Sequence, residues 1–422
     1  MSQPRVITGL IVCLSLVACA RAPQAEAVRV PAAAPPPAPS ASAAVFSKDA
    51  ALALHRAAIV IDTHNDVTQR LLVQDADLSQ RLPDGQTDLP RMREGGLDAE
   101  FLSVFVLPKL YPKEQAYQQA LAQFDAIDKL VAANAESTVL ARTTADVRKA
   151  AAEGKTAFLI GVEGGHALGD ATDAELVKRL EQFYARGARY MTLTWSNSNR
   201  LGGSSGDEGK ARGLTPFGKE VVLKMNELGM LVDISHVSDA TFLDAVHVSK
   251  RPVLASHSSA RALSDHPRNM TDDMLRAVRD NGGAVCVNFG PQFLDAAWAK
   301  AEAELQARAA PDFKAIFATA GSDPKAAQAK MFKLFSGLSA SLPRVPASLV
   351  IDHLEHVARV AGIDHVCIGS DYDGIAVAPA GLDDVSKLPF VTEELLRRGF
   401  SESDVRKVLG ENVLRVLGAS EH

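Results

Sequence analysis

Short apolar runs that alternate with helix-length segments constrain this chain more than any other feature. The runs are Ala58–Ile61, Phe101–Val106, Ala157–Gly161, Tyr190–Thr194, Met230–Ile234, Pro252–Ala255, Ala284–Phe289 and Val366–Gly369. Between them lie segments of helical length and pattern: Lys113–Ala133, Ala174–Gly187, Thr215–Leu228, Ser238–Ser249 and Thr271–Asp280. Continuous apolar runs separated by helices read as parallel strands buried on both faces. Eight such units predict an α/β fold closed into a (β/α)8 TIM-type barrel, with a doubly wound open sheet as the alternative. The stretch Phe293–Pro346 is too long for one crossover and reads as a helical insertion that can cover the barrel mouth. Ser401, followed by Glu402 and Asp404, reads as the cap of the last helical stretch.

Composition narrows the function classes. The chain has 422 residues, which at about 150 per domain would suggest roughly three domains, but one barrel can absorb most of that length. Charged residues make up 23% and apolar ones 47%, with a net charge of −6. That balance fits a folded globular chain and carries no basic signature of a nucleic-acid binder. Beyond the N-terminus no apolar run is long enough to span a bilayer.

The N-terminus reads as a targeting segment. Met1–Arg5 carries one positive charge, Ile7–Val17 is apolar, and Leu16-Val17-Ala18-Cys19 resembles the bacterial lipobox. That resemblance implies a lipoprotein signal peptide over residues 1–18, lipidation of Cys19 and attachment to a membrane. Ala20 after the cysteine favours the outer membrane of the cell envelope, facing the periplasm. Residues 20–45 hold eleven Ala and six Pro in 26 positions, so 19–45 is expected to be a tether and 46–422 the barrel domain. The two remaining cysteines, Cys286 and Cys367, sit in apolar runs and are expected to pack rather than to form a disulfide framework.

In a barrel, chemistry collects at the C-terminal ends of the strands. The residues there are Asp62-Thr63-His64-Asn65-Asp66, Glu163-Gly164-Gly165-His166, Ser235-His236, Ser256-His257-Ser258 and Ser370-Asp371-Tyr372-Asp373. His64 and Asp66 are two apart, so on an extended chain both point to one side and can reach one ion. Glu163, His236 and His257 can complete a second ion, with the two oxygens of Glu163 bridging both. Imidazole and carboxylate suit zinc and similar cations. Two such ions a few ångströms apart can hold a hydroxide and polarise a carbonyl, the layout of metal-assisted amide hydrolysis. Singly, each residue has a plainer role. Asp66 can cap a helix, Glu163 can sit in a turn, and Asp371 can form an Asx turn. Their recurrence at one end of successive strands favours the metal site. Of the other histidines, His55, His247, His353, His356 and His422 are expected to be solvated. His365 falls at the wrong end of its strand, and His166 and His266 are candidates for supporting contacts.

These motifs, with Pro267-Arg268-Asn269, Asp272-Asp273, Gly369-Ser370-Asp371-Tyr372-Asp373-Gly374, Gly381–Lys387 and Glu411–Val416, resemble the membrane (renal) dipeptidase family over about residues 50–420. The resemblance implies a binuclear zinc dipeptidase on a barrel of the metal-dependent hydrolase kind, and weakly a homodimer. It places His64 and Asp66 on the first zinc, Glu163 as the bridge, and His236 and His257 on the second. It further gives Arg268 the substrate carboxylate and Asp371 the ammonium or proton-shuttling role, with Asp373 as its rival. Some relatives take a C-terminal D-residue. Two positions depart from the family. Trp195 stands where many members have a histidine near the scissile carbonyl, so either the indole, Asn197 or Asn199 substitutes for it, or the metal alone polarises the carbonyl. Gly290 follows Asn288-Phe289 where some relatives have an aromatic. Two other readings stand beside this one: an amidohydrolase acting on N-acyl amino acids or lactones, and a non-catalytic peptide-binding envelope lipoprotein.

Overall fold

The computed structural model describes residues 47–422. The signal segment, Cys19 and the Ala/Pro-rich tether lie outside the described residues. Nine strands occur among those described: β1 Ile61–Asn65, β2 Ala99–Phe105, β3 Thr138–Leu140, β4 Thr156–Glu163, β5 Ala188–Thr192, β6 Leu231–Asp233, β7 Leu254–Ala255, β8 Ala284–Val287 and β9 Val366–Ile368. Every pairing between them is parallel. β2 pairs with both β1 and β4, and β9 returns to β1, so all strands but β3 close into one eight-membered barrel. β3 lies outside the ring and pairs with Thr156–Phe158 at the start of β4, on the edge that β5 takes further along.

Two layers of side chains explain why the strands read as continuous apolar runs. Inside the barrel, Ile61, Phe101, Leu159, Tyr190, Leu231, Leu254 and Cys286 form one buried cluster, closed from below by Val413, Leu414 and Leu417 of the helix Asn412–Ser420. Outside, Leu102, Val104, Phe158, Ile160, Val162, Val232 and Val285 pack against the surrounding helices. Burying a large apolar side chain contributes roughly 1.5–3 kcal/mol, so both faces of each strand must be apolar. The interior cluster is the barrel floor, and buried polar and charged side chains such as His64, Glu163, His236 and His257 gather at the strand ends above it.

The helices start and stop where their sequences say. Thr172, Thr215, Ser238 and Thr271 each accept a backbone N–H from the first turn of the helices Asp173–Arg186, Pro216–Leu228, Asp239–Val248 and Asp272–Asn281. Gly187, Gly229 and Gly282 end three of them in the left-handed conformation, which glycine adopts without a Cβ penalty. Ser401 and Asp404 form a reciprocal capping box. The insertion is helical, with helices Ala296–Arg308, Ala310–Thr319 and Pro324–Ser339.

Four expectations need correction. The first strand begins at Ile61 rather than running over Ala58–Ile61, because Ala58 ends the preceding helix. β3, Thr138-Val139-Leu140, is a strand of only three residues and was not among the apolar runs. Cys286 and Cys367 are joined by a disulfide, since in-register pairing of β8 and β9 sets them directly opposite each other. His55, His353 and His356 are buried, not solvated. His55 bridges the Gly95 carbonyl and the Thr392 hydroxyl, each at 2.7 Å. His353 Nδ1 accepts the Ala260 N–H at 3.0 Å, and His356 lies 2.7 Å from Asp272.

Candidate metal centre

Five strand ends deliver the predicted acids and imidazoles to one place. Nε2 of His64, at the end of β1, lies 3.6 Å from Asp66 Oδ2 and 3.5 Å from Glu163 Oε2. The other oxygen of Glu163, on β4, lies 2.9 Å from His236 Nε2 and 3.6 Å from His257 Nε2. The two latter nitrogens are themselves 2.8 Å apart. His64, Asp66 and Asp371 form an overlapping second group whose ligand atoms all lie within 4.8 Å of one another. Asp66 lies just past β1, its N–H donating to the Tyr372 carbonyl at 2.9 Å.

Backbone strain is concentrated here. His236, Asp371 and Asp373 all adopt positive φ, at 65°, 64° and 61°. Non-glycine residues pay roughly 1–3 kcal/mol for such conformations, and they cluster at functional sites. Gly374 has a different reason to be glycine. A side chain there would collide with Oδ2 of Asp66 and Oδ1 of Asp371. Gly161 likewise leaves room for the Tyr190 ring to cross the barrel above the floor.

The supporting hydrogen bonds settle which imidazole nitrogen faces inward. Tyr190 donates its hydroxyl hydrogen to the Thr63 carbonyl at 3.1 Å, and its oxygen sits 2.7 Å from His64 Nδ1. Nδ1–H therefore donates to that oxygen, which turns Nε2 of His64 toward the carboxylates. A second relay serves His257. Its Nδ1 lies 2.7 Å from Ser256 Oγ, which donates to Asp233 Oδ2 at 2.7 Å. Asn288 donates to Asp371 Oδ2 at 2.8 Å. Tyr190, Ser256, Asp233 and Asn288 were not singled out from sequence. In the sequence Tyr190 shows only as the first residue of the apolar run Tyr190–Thr194.

The residues fit divalent cations on two independent grounds. Nε2 of His64 and Oδ1 of Asp66 are buried with no hydrogen-bond partner, which is costly unless a cation takes them up. Burial also holds His236 down at about 4 and His257 well below its ordinary range, so both imidazoles are neutral at physiological pH, the form a cation needs. His64 behaves oppositely. Burial disfavours its charge, but the Tyr190 oxygen and the Glu163 carboxylate outweigh that and draw a positive charge to this spot. Glu163 resists protonation despite burial because His64 and His236 face it. On the protein's own charges, burial pushes Asp371 up to about 8.

The remaining predicted residues divide. Arg268 is buried beside the centre, its Nη atoms 3.2 Å from Ser258 Oγ and 3.0 Å from the His257 carbonyl, while its Nε has no partner. Trp195 packs against Phe105 with ring centroids 4.8 Å apart and the rings tilted by 49°, and it stands 6.4 Å from the His236 ring. Trp195 and Asn197 line a cleft of about 1640 Å3 that opens over the carboxylates. Asn199 turns away, donating to the Leu193 carbonyl. Asp373 is drawn to the Gln86 backbone and side chain and to Arg70 at 3.7 Å, which sets it apart from Asp371. His166 bonds the Val106 carbonyl, and His266 Nδ1 accepts the Arg268 N–H.

A barrel with an imidazole–carboxylate cluster at its strand ends is the architecture of metal-dependent hydrolases. The family model for membrane dipeptidase, peptidase family M19, matches residues 48–422, and the chain belongs to that family of metallopeptidases. Solved structures agree. The probable dipeptidase PvdM from Pseudomonas aeruginosa superposes with a TM-score of 0.75 at 25% identity, over 88% of this chain and 98% of its own. A metallo peptidase from Rhodobacter sphaeroides, liganded with a phosphinate mimic of the dipeptide L-Ala-D-Ala, gives 0.69 at 28% identity, over 86% and 100%. The metallo peptidase called dipeptidase AC gives 0.69 at 29% identity, over 86% and 98%.

Proposed function

We propose that this metallopeptidase is a binuclear zinc dipeptidase, with the two ions shared by His64, Asp66, Glu163, His236 and His257. One observation carries the reading. The two oxygens of the single buried Glu163 carboxylate face opposite imidazole sets, His64 on one side and His236 with His257 on the other. Bound cations at this place supply Lewis acidity toward a carbonyl and acidify water.

The chain's own residues do the rest. Arg268, held by Ser258 and the His257 carbonyl, has its Nε–H and remaining Nη–H donors for a C-terminal carboxylate. Asp371, fixed by Asn288, stands over the same space and is placed to take a proton or to deliver one to the departing amine. Trp195 and Asn197 line the cleft beside this space. A D-residue on the carboxyl side is supported by the mimic bound to the Rhodobacter sphaeroides relative. Lipidation at Cys19 and an outer-membrane, periplasm-facing location rest on the sequence motif. The buried Cys286–Cys367 disulfide supports an oxidising compartment as well. The homodimer rests on family resemblance alone.

The test is a panel of L-L and L-D dipeptides assayed with zinc, after chelation, and after zinc is returned. Cleavage that follows the metal supports the reading. No metal-dependent cleavage of any dipeptide overturns it.

A further inference from the structure

Barrel order places two features of the cleft on opposite sides. Around the ring the strands run β1, β2, β4, β5, β6, β7, β8, β9. Arg268 follows β7 and Asn288 follows β8, whereas Phe105 ends β2 and Trp195 follows β5. A substrate whose carboxylate rested at Arg268 and whose carbonyl lay over Glu163, on β4 between β2 and β5, would carry its amino side toward the β2–β5 wall. That wall is apolar. Phe105 and Leu107 form a cluster with Trp195, Phe317 and Met331, the last two contributed by the helical insertion. Lys109 sits 5.3 Å from the Phe317 ring centre and pins it. Phe313, Phe332 and Phe335 extend the same lining outward. They remain partly exposed, so this apolar surface faces the cleft rather than filling a core. The cleft, at about 1640 Å3, is larger than the roughly 300–1,000 Å3 usual for a drug-sized ligand, so a small dipeptide leaves this wall uncovered.

We infer that the insertion builds a subsite for a bulky apolar group on the amino side of the scissile bond, so that this chain selects substrates by that group. The inference rests on the dipeptidase reading and deepens it. The group can be the side chain of the N-terminal residue or an N-acyl chain, and the assay separates these sources.

The zinc-loaded protein is assayed on X-Ala dipeptides in which X is glycine, alanine, 2-aminobutyrate, norvaline, norleucine or phenylalanine, and on N-octanoyl-alanine. In the wild type, kcat/KM should rise about 3- to 4-fold per added methylene until the wall is covered. Preference for phenylalanine over glycine should fall in the range of about 10- to 200-fold or above. In Phe317→Ala, and independently in Phe332→Ala, the phenylalanine-to-glycine ratio should drop by about 10-fold. Misfolding would lower both substrates together and leave the ratio unchanged, and the wild-type series stands whether or not either variant folds. Faster turnover of the octanoyl compound than of norleucyl-alanine assigns the wall to an acyl chain; the reverse assigns it to a side chain. A flat wild-type series with active Gly-Ala cleavage overturns the subsite and leaves the dipeptidase reading standing. An unchanged ratio in both folded variants overturns it too. No cleavage of any compound overturns the dipeptidase reading itself.

Discussion

The Tyr190 hydroxyl fixes the tautomer of His64, two residues that lie 126 positions apart and meet at 2.7 Å across the barrel interior. Because the hydroxyl spends its hydrogen on Thr63, it can only accept from His64 Nδ1. Tyr190→Phe keeps the ring in its packing place and removes that acceptor. Chelator competition should show zinc affinity lowered about 10- to 100-fold, with the fold intact by circular dichroism. Unaltered affinity would mean that Glu163 and Asp66 alone orient His64.

Arg268 separates binding from metal chemistry. Its guanidinium is pulled down by burial only to about 10, so it stays charged at neutral pH. Arg268→Lys loses the planar fork, and Arg268→Ala loses the charge. Both should raise KM or lower kcat/KM, by about 10-fold or more, with metal content unchanged. Loss of metal in these variants would reassign Arg268 to holding His257.

The Cys286–Cys367 bridge lies in the barrel floor, below the metal cluster, and closes a loop of 81 residues. In the chain-entropy account such a loop contributes up to about 4.5 kcal/mol. The double Cys→Ser variant should melt well below the oxidised wild type while its assembled site still binds zinc. An equal melting temperature would show that the bridge adds nothing to stability.

His55 gives a pH signature away from the site. Burial lowers it to about 4, so the folded protein holds it neutral while the unfolded chain protonates near 6.5. The unfolded state then binds more protons between those values, and stability from this group is present above 6.5 and lost as pH falls toward 4. His55→Gln lacks the titration. The stability gap between wild type and variant should narrow by up to roughly 3 kcal/mol from pH 7 to pH 4 in denaturant titrations. A gap independent of pH would contradict the buried, neutral assignment.

Local pattern made much of this molecule legible before its structure. Caps such as Thr215 and Ser238 act within four residues, and a buried parallel strand announces itself by an apolar run. His64, Asp66, Glu163, His236 and His257 were visible because polar residues at successive strand ends contradict that run. What stayed hidden depends on register between distant segments. Cys286 faces Cys367 only because β8 and β9 pair in one register. Tyr190 looked like core and is core, except for its oxygen. His353 looked solvated because its partner, the Ala260 N–H, lies 93 positions away. The aromatic face of the insertion read only as helix, since nothing in its own sequence says what it covers.

The central claim is that Glu163 joins two cation sites in one chain. Elemental analysis of the purified protein, beside Glu163→Ala, tests it most directly. The account predicts two zinc ions per chain in the wild type and loss of both, or of all tight binding, in the variant. Absence of stoichiometric metal in the wild type, or two ions retained without Glu163, would contradict it.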